Sequence, residues 1–252
     1  MVPVNTIAEI CCGSFEDALA AQKAGADRIE LNNAMFLSGL TPSLGTLELV
    51  VKNCDVPIVV MARPRPGGFH YNDYEFETML ADIEVMVTYD IEGVAFGCLD
   101  ESGNVDIKKN EKIINLLHQY DKDAIFHRAF DSVHNPFTAI ETLIDLGVKR
   151  VLTGGLKPKA IDGLEMLADL QQKYGDKIEI LAGGGVNSTN VSQLMDKTGI
   201  NQYHSSCTGW RHDPTTVTDH MSFAFANPPH EKDHNVVDEK IAAEFVQSVK
   251  KL

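Results

Sequence analysis

The sequence predicts an α/β fold: a (β/α)8 TIM barrel forming a single domain over residues 1–252. Three observations predict it. Short apolar runs alternate with amphipathic runs of about ten to fifteen residues. The apolar runs number eight and recur roughly thirty residues apart, the length of one βα unit in such a barrel. The length of 252 residues suits one barrel, and no internal repeat or low-complexity linker marks a boundary.

The first four expected strands are IAEICC (7–12), RIELN (28–32), PIVVMAR (57–63) and GVAFGCL (93–99). The other four are AIFHR (124–128), VKRVLTG (148–154), IEILAGG (178–184) and NQYHSS (201–206). Ser14 stands three residues ahead of Asp17, in the manner of a capping box, and Ala18, Ala21 and Gln22 follow at helical spacing. Thr41-Pro42 and Asn135-Pro136 each set a capping residue before a proline at the first helical position. Gly25, Gly147 and Gly199 stand where helices should end. Ile140, Leu143, Ile144 and Gly147 line up on the fifth helix. Ile241, Phe245, Val249 and Leu252 share one face of the last run, which closes the ring as helix eight. Between strand eight and that helix, residues 207–235 read as a long loop over the barrel mouth. The loop holds His212, His220, His230 and His234, whose spacing matches no defined metal site, so it reads as a polar loop.

The net charge of −14 repels phosphodiester backbones and anionic lipids, which excludes nucleic acid and membrane surfaces as partners. A metal ion or a small molecule fits this charge, and an anionic substrate would need a local basic pocket. Five cysteines, an odd number, argue against a disulfide framework and for the reducing cytoplasm. No apolar window reaches the ~18 residues of a membrane span, and the first residues lack the pattern of a signal peptide.

Chemistry in a barrel gathers at the C-terminal ends of the strands. Side chains alternate faces along a strand, so Cys11 shares the inward face with Glu9 while Cys12 points to the helices. Glu9 and Glu30 each interrupt an apolar strand, and a buried carboxylate needs a partner. Arg63, Arg65 and Arg128 are the natural ones. His127, followed by Arg128 and Asp131, is a candidate acid, base or ligand, and His204 offers the same from strand eight. Thr153 ends strand six. Gly183, Gly184 and Gly185, ahead of a helix start at Asn187-Ser188, can present backbone N–H groups to an anion, and Ser205 adds a hydroxyl. The plainer alternative is an ion-pair cluster that only specifies the core. Cys54 reads as structural, and Cys207, just beyond HSS and able to reach the mouth, reads as an adaptable loop position.

Taken together, RIEL (28–31), GLTPS (39–43), RPR (63–65), GNVD (103–106), FHRAFD (126–131), RVLTGG (150–155), AGGGV (182–186) and HSS (204–206) resemble the CutC copper homeostasis family. The resemblance runs from about Glu9 to Ser206. It implies a cytosolic barrel that forms a homodimer or higher homo-oligomer and handles copper by binding Cu(I). The family's first cysteine corresponds to Cys11, the expected metal ligand. Where the family often has a second cysteine, after RIEL, this chain has Asn32. Met61, Cys98, His127 or His204 would then have to join Cys11. The rival expectation is an enzyme, lyase-, isomerase- or hydrolase-like, acting on a small anionic metabolite, phosphorylated ones included. In it Arg63, Arg65, Arg128, Thr153, Gly183, Gly184, His204 and Ser205 hold the substrate, and Glu9, Glu30, His127 and Asp131 move protons.

Overall fold

A computed structural model of the chain describes residues 6–252, so residues 1–5 of the expected domain lie outside the described residues. All eight expected strands form: β1 (Ile7–Cys12), β2 (Arg28–Leu31), β3 (Ile58–Met61), β4 (Gly93–Phe96), β5 (Asp123–Phe126), β6 (Arg150–Thr153), β7 (Glu179–Gly183) and β8 (Gln202–Ser205). Each pairs in parallel with the next, and β1 pairs with β8 (Glu9 opposite His204), which closes the barrel. Several strands stop short of the expected run. Asn32, Arg63 and His127 lie just past the last ladder residue, where the backbone turns to build the mouth.

Among the described residues, eight α-helices surround the barrel: α1 (Phe15–Lys23), α2 (Leu44–Asn53), α3 (Asp73–Met86), α4 (Ile107–Gln119), α5 (Pro136–Asp145), α6 (Leu164–Tyr174), α7 (Val191–Thr198) and α8 (Glu239–Lys250). Ser14 and Asn135 cap α1 and α5 as expected, their side chains accepting N–H bonds of the first turn. Two expected helix starts move. Ser43, not Thr41, caps α2, and the Thr41 hydroxyl instead accepts the Arg63 N–H at 3.0 Å. Helix α7 begins at Val191 rather than at Asn187-Ser188, because Asn187 is held in a turn by Asn190 and Thr189. Gly199 closes α7 at φ +70°, a left-handed conformation that costs a glycine little.

Strand residues facing outward, such as Ile10, Cys12, Ile29, Val60 and Phe126, pack against the helices in one apolar layer. The interior has its own apolar group of Val59, Met61, Ala95 and Ile125, all on β3, β4 and β5. On α8 the buried face is Ala242, Phe245, Val246 and Val249, while Ile241 is exposed, so the apolar stripe sits one position round from the expected one.

The expected loop at 207–235 carries strands at its ends. There β9 (Thr208–His212) and β10 (Asp233–Val237) pair antiparallel as a hairpin arm. The arm is anchored on α1, where Asp17 accepts the Val237 N–H at 2.7 Å and Glu16 makes a two-pronged pair with Arg211. Its period-two pattern is weak because β9 is exposed apart from Gly209, so the sequence shows no buried face to read.

Candidate functional site

A cavity of about 490 Å³ opens at the C-terminal ends of the strands. Its walls differ in chemistry, and each is set by strand register.

One wall comes from β8, β1 and β2. Cys11 faces inward and Cys12 outward, as the alternation requires. The Cys11 thiol donates to Glu30 Oε2 at 3.5 Å and accepts from Asn32 Nδ2 at 3.3 Å. Asn32 also donates to Glu30 Oε2 at 2.9 Å, so the residue in the place of a second cysteine ties the carboxylate to the thiol. His204 Nδ1 bonds Glu9 Oε1 at 2.7 Å, leaving Nε2 3.9 Å from Glu30. Cys11, Glu30 and His204 bring one ligand atom each within 4.8 Å of one another. Burial, then the neighbouring Glu30, pushes the Cys11 thiol well above its ordinary value. Burial raises Glu30 as well, against the pull of His204. His204 is raised because Glu30 and Glu9 outweigh the effect of burial.

Two residues of this wall escaped the sequence reading. Met35 places its Sδ 3.7 Å from Cys11 Sγ. It sits in a single 3₁₀ turn, Met35–Leu37, after β2, and nothing in NNAMFL marks that turn as folding back over the mouth. Arg28, at the start of β2, is the partner of Glu9 that was sought among Arg63, Arg65 and Arg128. Burial alone would raise Glu9, but Arg28 and His204 hold its carboxyl well below the usual range. Below it Arg150 pairs with Glu92 at 3.1 Å and Glu179 at 2.8 Å, and Gln202 bridges Arg28 to Glu179. Glu9 therefore belongs to a paired network at the base and reaches the mouth only through His204.

The opposite wall comes from β3, β5, β6 and β7. Arg63 is buried, and its Nη groups donate to the carbonyls of Leu37, Ser38, Gly39 and Gly67. Its Nε meets no carbonyl, and the buried Tyr71 hydroxyl, itself without another partner, lies beside the guanidinium. His127 is buried, with Nδ1 accepting the Ala129 N–H at 3.1 Å and Nε2 unpartnered. Burial, then the nearby Arg63 charge, pushes its pKa down to about 3, so the ring is neutral. Arg128 pairs with Asp131 at 2.6 Å. Asp131 also accepts from Thr153 Oγ1 at 2.5 Å and from the backbone N–H groups of Gly154 and Leu156. Asp131 and Thr153 thus lock the loop after β6, and Asp131 also lines the cavity.

Four expected site residues sit elsewhere. Arg65 turns away from the cavity to Glu75, at 2.5 Å, and to the carbonyls of Gly68 and His70. Gly183 lies one step inside the wall, which is formed by Gly184 and Gly185. The Ser205 hydroxyl donates to Val186 O at 2.7 Å, and Ser206 takes the place at the rim. Cys98 packs in the outer apolar layer, where burial raises it to about 12. Cys54 and Cys207 are buried in that layer too, and all five cysteines are free.

The model of the CutC family matches residues 6–209, which covers the whole barrel sheet and both walls of the cavity. The chain belongs to the CutC family. A CutC family protein of Treponema denticola is 45% identical over 212 residues, 84% of this chain and 85% of that one. The human copper homeostasis protein cutC homolog is 38% identical over 203 residues, 81% of this chain and 74% of that one. A crystal structure of a CutC protein from Streptococcus agalactiae superposes with a TM-score of 0.74 at 28% identity, covering 80% of this chain and 98% of that one. A phosphoribosylanthranilate isomerase of Pyrococcus furiosus shares the fold alone, with a TM-score of 0.58 at 15% identity over 98% of this chain and 100% of that one. No helix among the described residues is long and apolar enough to cross a membrane.

Proposed function

We propose that this CutC chain serves copper homeostasis by binding Cu(I) at the mouth of its barrel. The observation that carries the reading is the Cys11–Met35 contact, with Sγ and Sδ 3.7 Å apart and His204 within reach of the same point. Cu(I) favours thiolate, thioether and imidazole ligands, and one of each converges here. Met35 supplies the second soft donor that Asn32 does not. The relatives named for copper homeostasis support the same role. The thiol holds its proton tightly, so binding releases that proton and affinity rises with pH. Glu30 is the nearest acceptor for it. Five free cysteines suit the reducing cytoplasm, and a homo-oligomer, implied by family resemblance, completes the proposal.

The test is an anaerobic Cu(I) titration against a competing chelator, with wild type, Cys11→Ser and Met35→Leu side by side. Stoichiometric binding that is lost in Cys11→Ser, and weakened roughly tenfold in Met35→Leu, is the expected result. Binding that survives Cys11→Ser overturns the site.

A further inference from the structure

The β8–β1–β2 wall accounts for copper and leaves the rim above β5 to β8 without a role. Arg128 lies there in a slot between the loops after β6 and β7. A Cβ on Gly154 would come within 2.9 Å of its Nη2, and one on Gly184 within 3.2 Å of its Nη1, so the two glycines make room for the guanidinium. Its Nε donates to Asp131 and its Nη2 to the Lys157 carbonyl at 2.8 Å, which leaves Nη1 without a partner among the described residues. Beside it, the loop after β7 has its carbonyls answered. Gly184 O accepts from the Ala160 N–H at 2.8 Å, Gly185 O from Asn190 Nδ2 at 2.9 Å, and Val186 O from the Ser205 hydroxyl. In a trans peptide the N–H points away from the preceding carbonyl, so the Gly185 N–H turns away from Ala160. Neither it nor the Ser206 N–H has an acceptor among the described residues. Arg128, Gly185 and Ser206 all line the cavity.

Charge points the same way. The chain carries a net −14, yet this corner is positive. The Lys159 stem runs along Gly185, 3.6 Å from where a Cβ would stand, and Lys159 makes no ion pair among the described residues. Asp131 offsets only one of the two cations, and its oxygens are already engaged by Arg128, Thr153 and the N–H groups of Gly154 and Leu156. Backbone N–H groups and an open guanidinium edge in a positive corner are the chemistry that receives phosphate. The loops after strands seven and eight are where barrels commonly build such a site. The cavity, at about 490 Å³, falls in the range of sites for small molecules, roughly 300–1,000 Å³.

We infer that this rim binds the phosphate group of a small phosphate monoester, held by Arg128 Nη1–H, the Gly185 and Ser206 N–H groups and the Lys159 charge. The donors come from separate loops, Arg128 after β5, Gly185 after β7 and Ser206 after β8. Donors that approach from different sides suit a tetrahedral anion, whose oxygens diverge, better than a planar carboxylate. Met61 and Leu152 offer the ester's carbon body an apolar surface in the same cavity. This inference goes beyond copper binding and uses none of Cys11, Met35 and His204.

The probes are glycerol 3-phosphate, inorganic phosphate and acetate, titrated separately into the metal-free full chain labelled with ¹⁵N. The readouts are the Gly185 and Ser206 amide resonances. Saturable binding of glycerol 3-phosphate in the millimolar range or tighter, shifting both resonances, is expected in the wild type, with inorganic phosphate weaker and acetate not saturating. Arg128→Gln removes the open charged donor and should weaken binding about tenfold. Lys159→Ala, a change on the exposed rim, should weaken it about threefold, and more at low salt. The wild-type titration and Lys159→Ala test the inference even if Arg128→Gln fails to fold. Absence of saturable ester binding overturns the inference, as does binding that leaves either amide resonance unmoved or is undiminished in either variant. Binding of inorganic phosphate without the ester overturns the monoester assignment, and acetate binding as tightly overturns the phosphate assignment. Copper binding is read at Cys11 and phosphate binding at Gly185 and Ser206, so either proposal can fail alone.

Discussion

At the base of the barrel, Arg28 and Arg150 are flanked by Glu9, Glu92 and Glu179, and Gln202 joins the two groups. At the mouth, a few residues further along the same strands, Arg63 meets carbonyls and the Tyr71 hydroxyl but no carboxylate, His127 Nε2 and Asn32 Oδ1 meet nothing, and the Cys11 thiol donates to Glu30. Both regions put charge inside a barrel, and both are buried. The base closes its hydrogen bonds internally, so its charges hold the strands in register. The mouth leaves bonds open, which is tolerable only if something arrives to complete them. Charge in a barrel interior is therefore not by itself a sign of function; unfinished bonding is.

The contrast can be broken by substitution. The largest effect is expected at the base. Arg28→Met strands Glu9 in a buried site and should cost about 3–5 kcal/mol in urea unfolding, the usual penalty for removing one member of a buried pair. A loss below about 1 kcal/mol would mean that the base is not the anchor.

The histidines of the mouth come next, through pH. The His127 pKa is depressed to about 3 in the folded chain, so the unfolded chain binds the extra proton. Its contribution to stability is complete above the unfolded value near 6.5 and falls by about 1.4 kcal/mol per pH unit as pH drops from there towards 3. His204 is raised, so its contribution has the opposite sign: present below the unfolded value and lost as pH rises through the folded one. Unfolding midpoints measured from pH 4 to 8 should show a shallower acid limb for His127→Asn. Replacing His204 with asparagine should not produce that change.

A smaller effect, of opposite sign, is expected at Glu30. Its carboxyl is raised by burial, so ionisation works against the fold as pH rises above the unfolded carboxylate value. Glu30→Gln should stabilise the protein by about 1 kcal/mol at neutral pH and flatten that loss, seen as a higher melting temperature. Destabilisation by Glu30→Gln would show that the mouth is built for stability like the base. The smallest effect is expected on the hairpin arm. Arg211 and Glu16 are exposed, and Arg211→Ala should leave the melting temperature unchanged within error.

Particular residues show how far the sequence could be read. The eight strands were legible because barrel strands are buried on both faces and appear as apolar runs. Cys11 could be separated from Cys12 because the period of a strand is two. Arg28 was missed because a charged residue opening a strand looks like a solvent-facing end, and its cross-barrel partners Glu92 and Gln202 are far away in the chain. Arg65 was overvalued because it is two residues from Arg63, yet the backbone leaves the strand between them and the two side chains diverge. Met35 gave no signal at all, since a lone methionine in a short loop has no periodicity to betray its direction.

What the sequence determined by itself was the repeating βα order, the inward set of Cys11, Glu9 and Glu30, and a family resemblance carried by FHRAFD and RVLTGG. These depend on local periodicity and on motifs continuous in the chain. Only the tertiary structure decided which charges are satisfied. Closing the barrel sets β1 against β8, so that Glu9 meets His204 across 195 positions of chain and His127 is left with a proton and no acceptor. Partnership across a closed sheet is a matter of register and distance, and neither is encoded within any one segment.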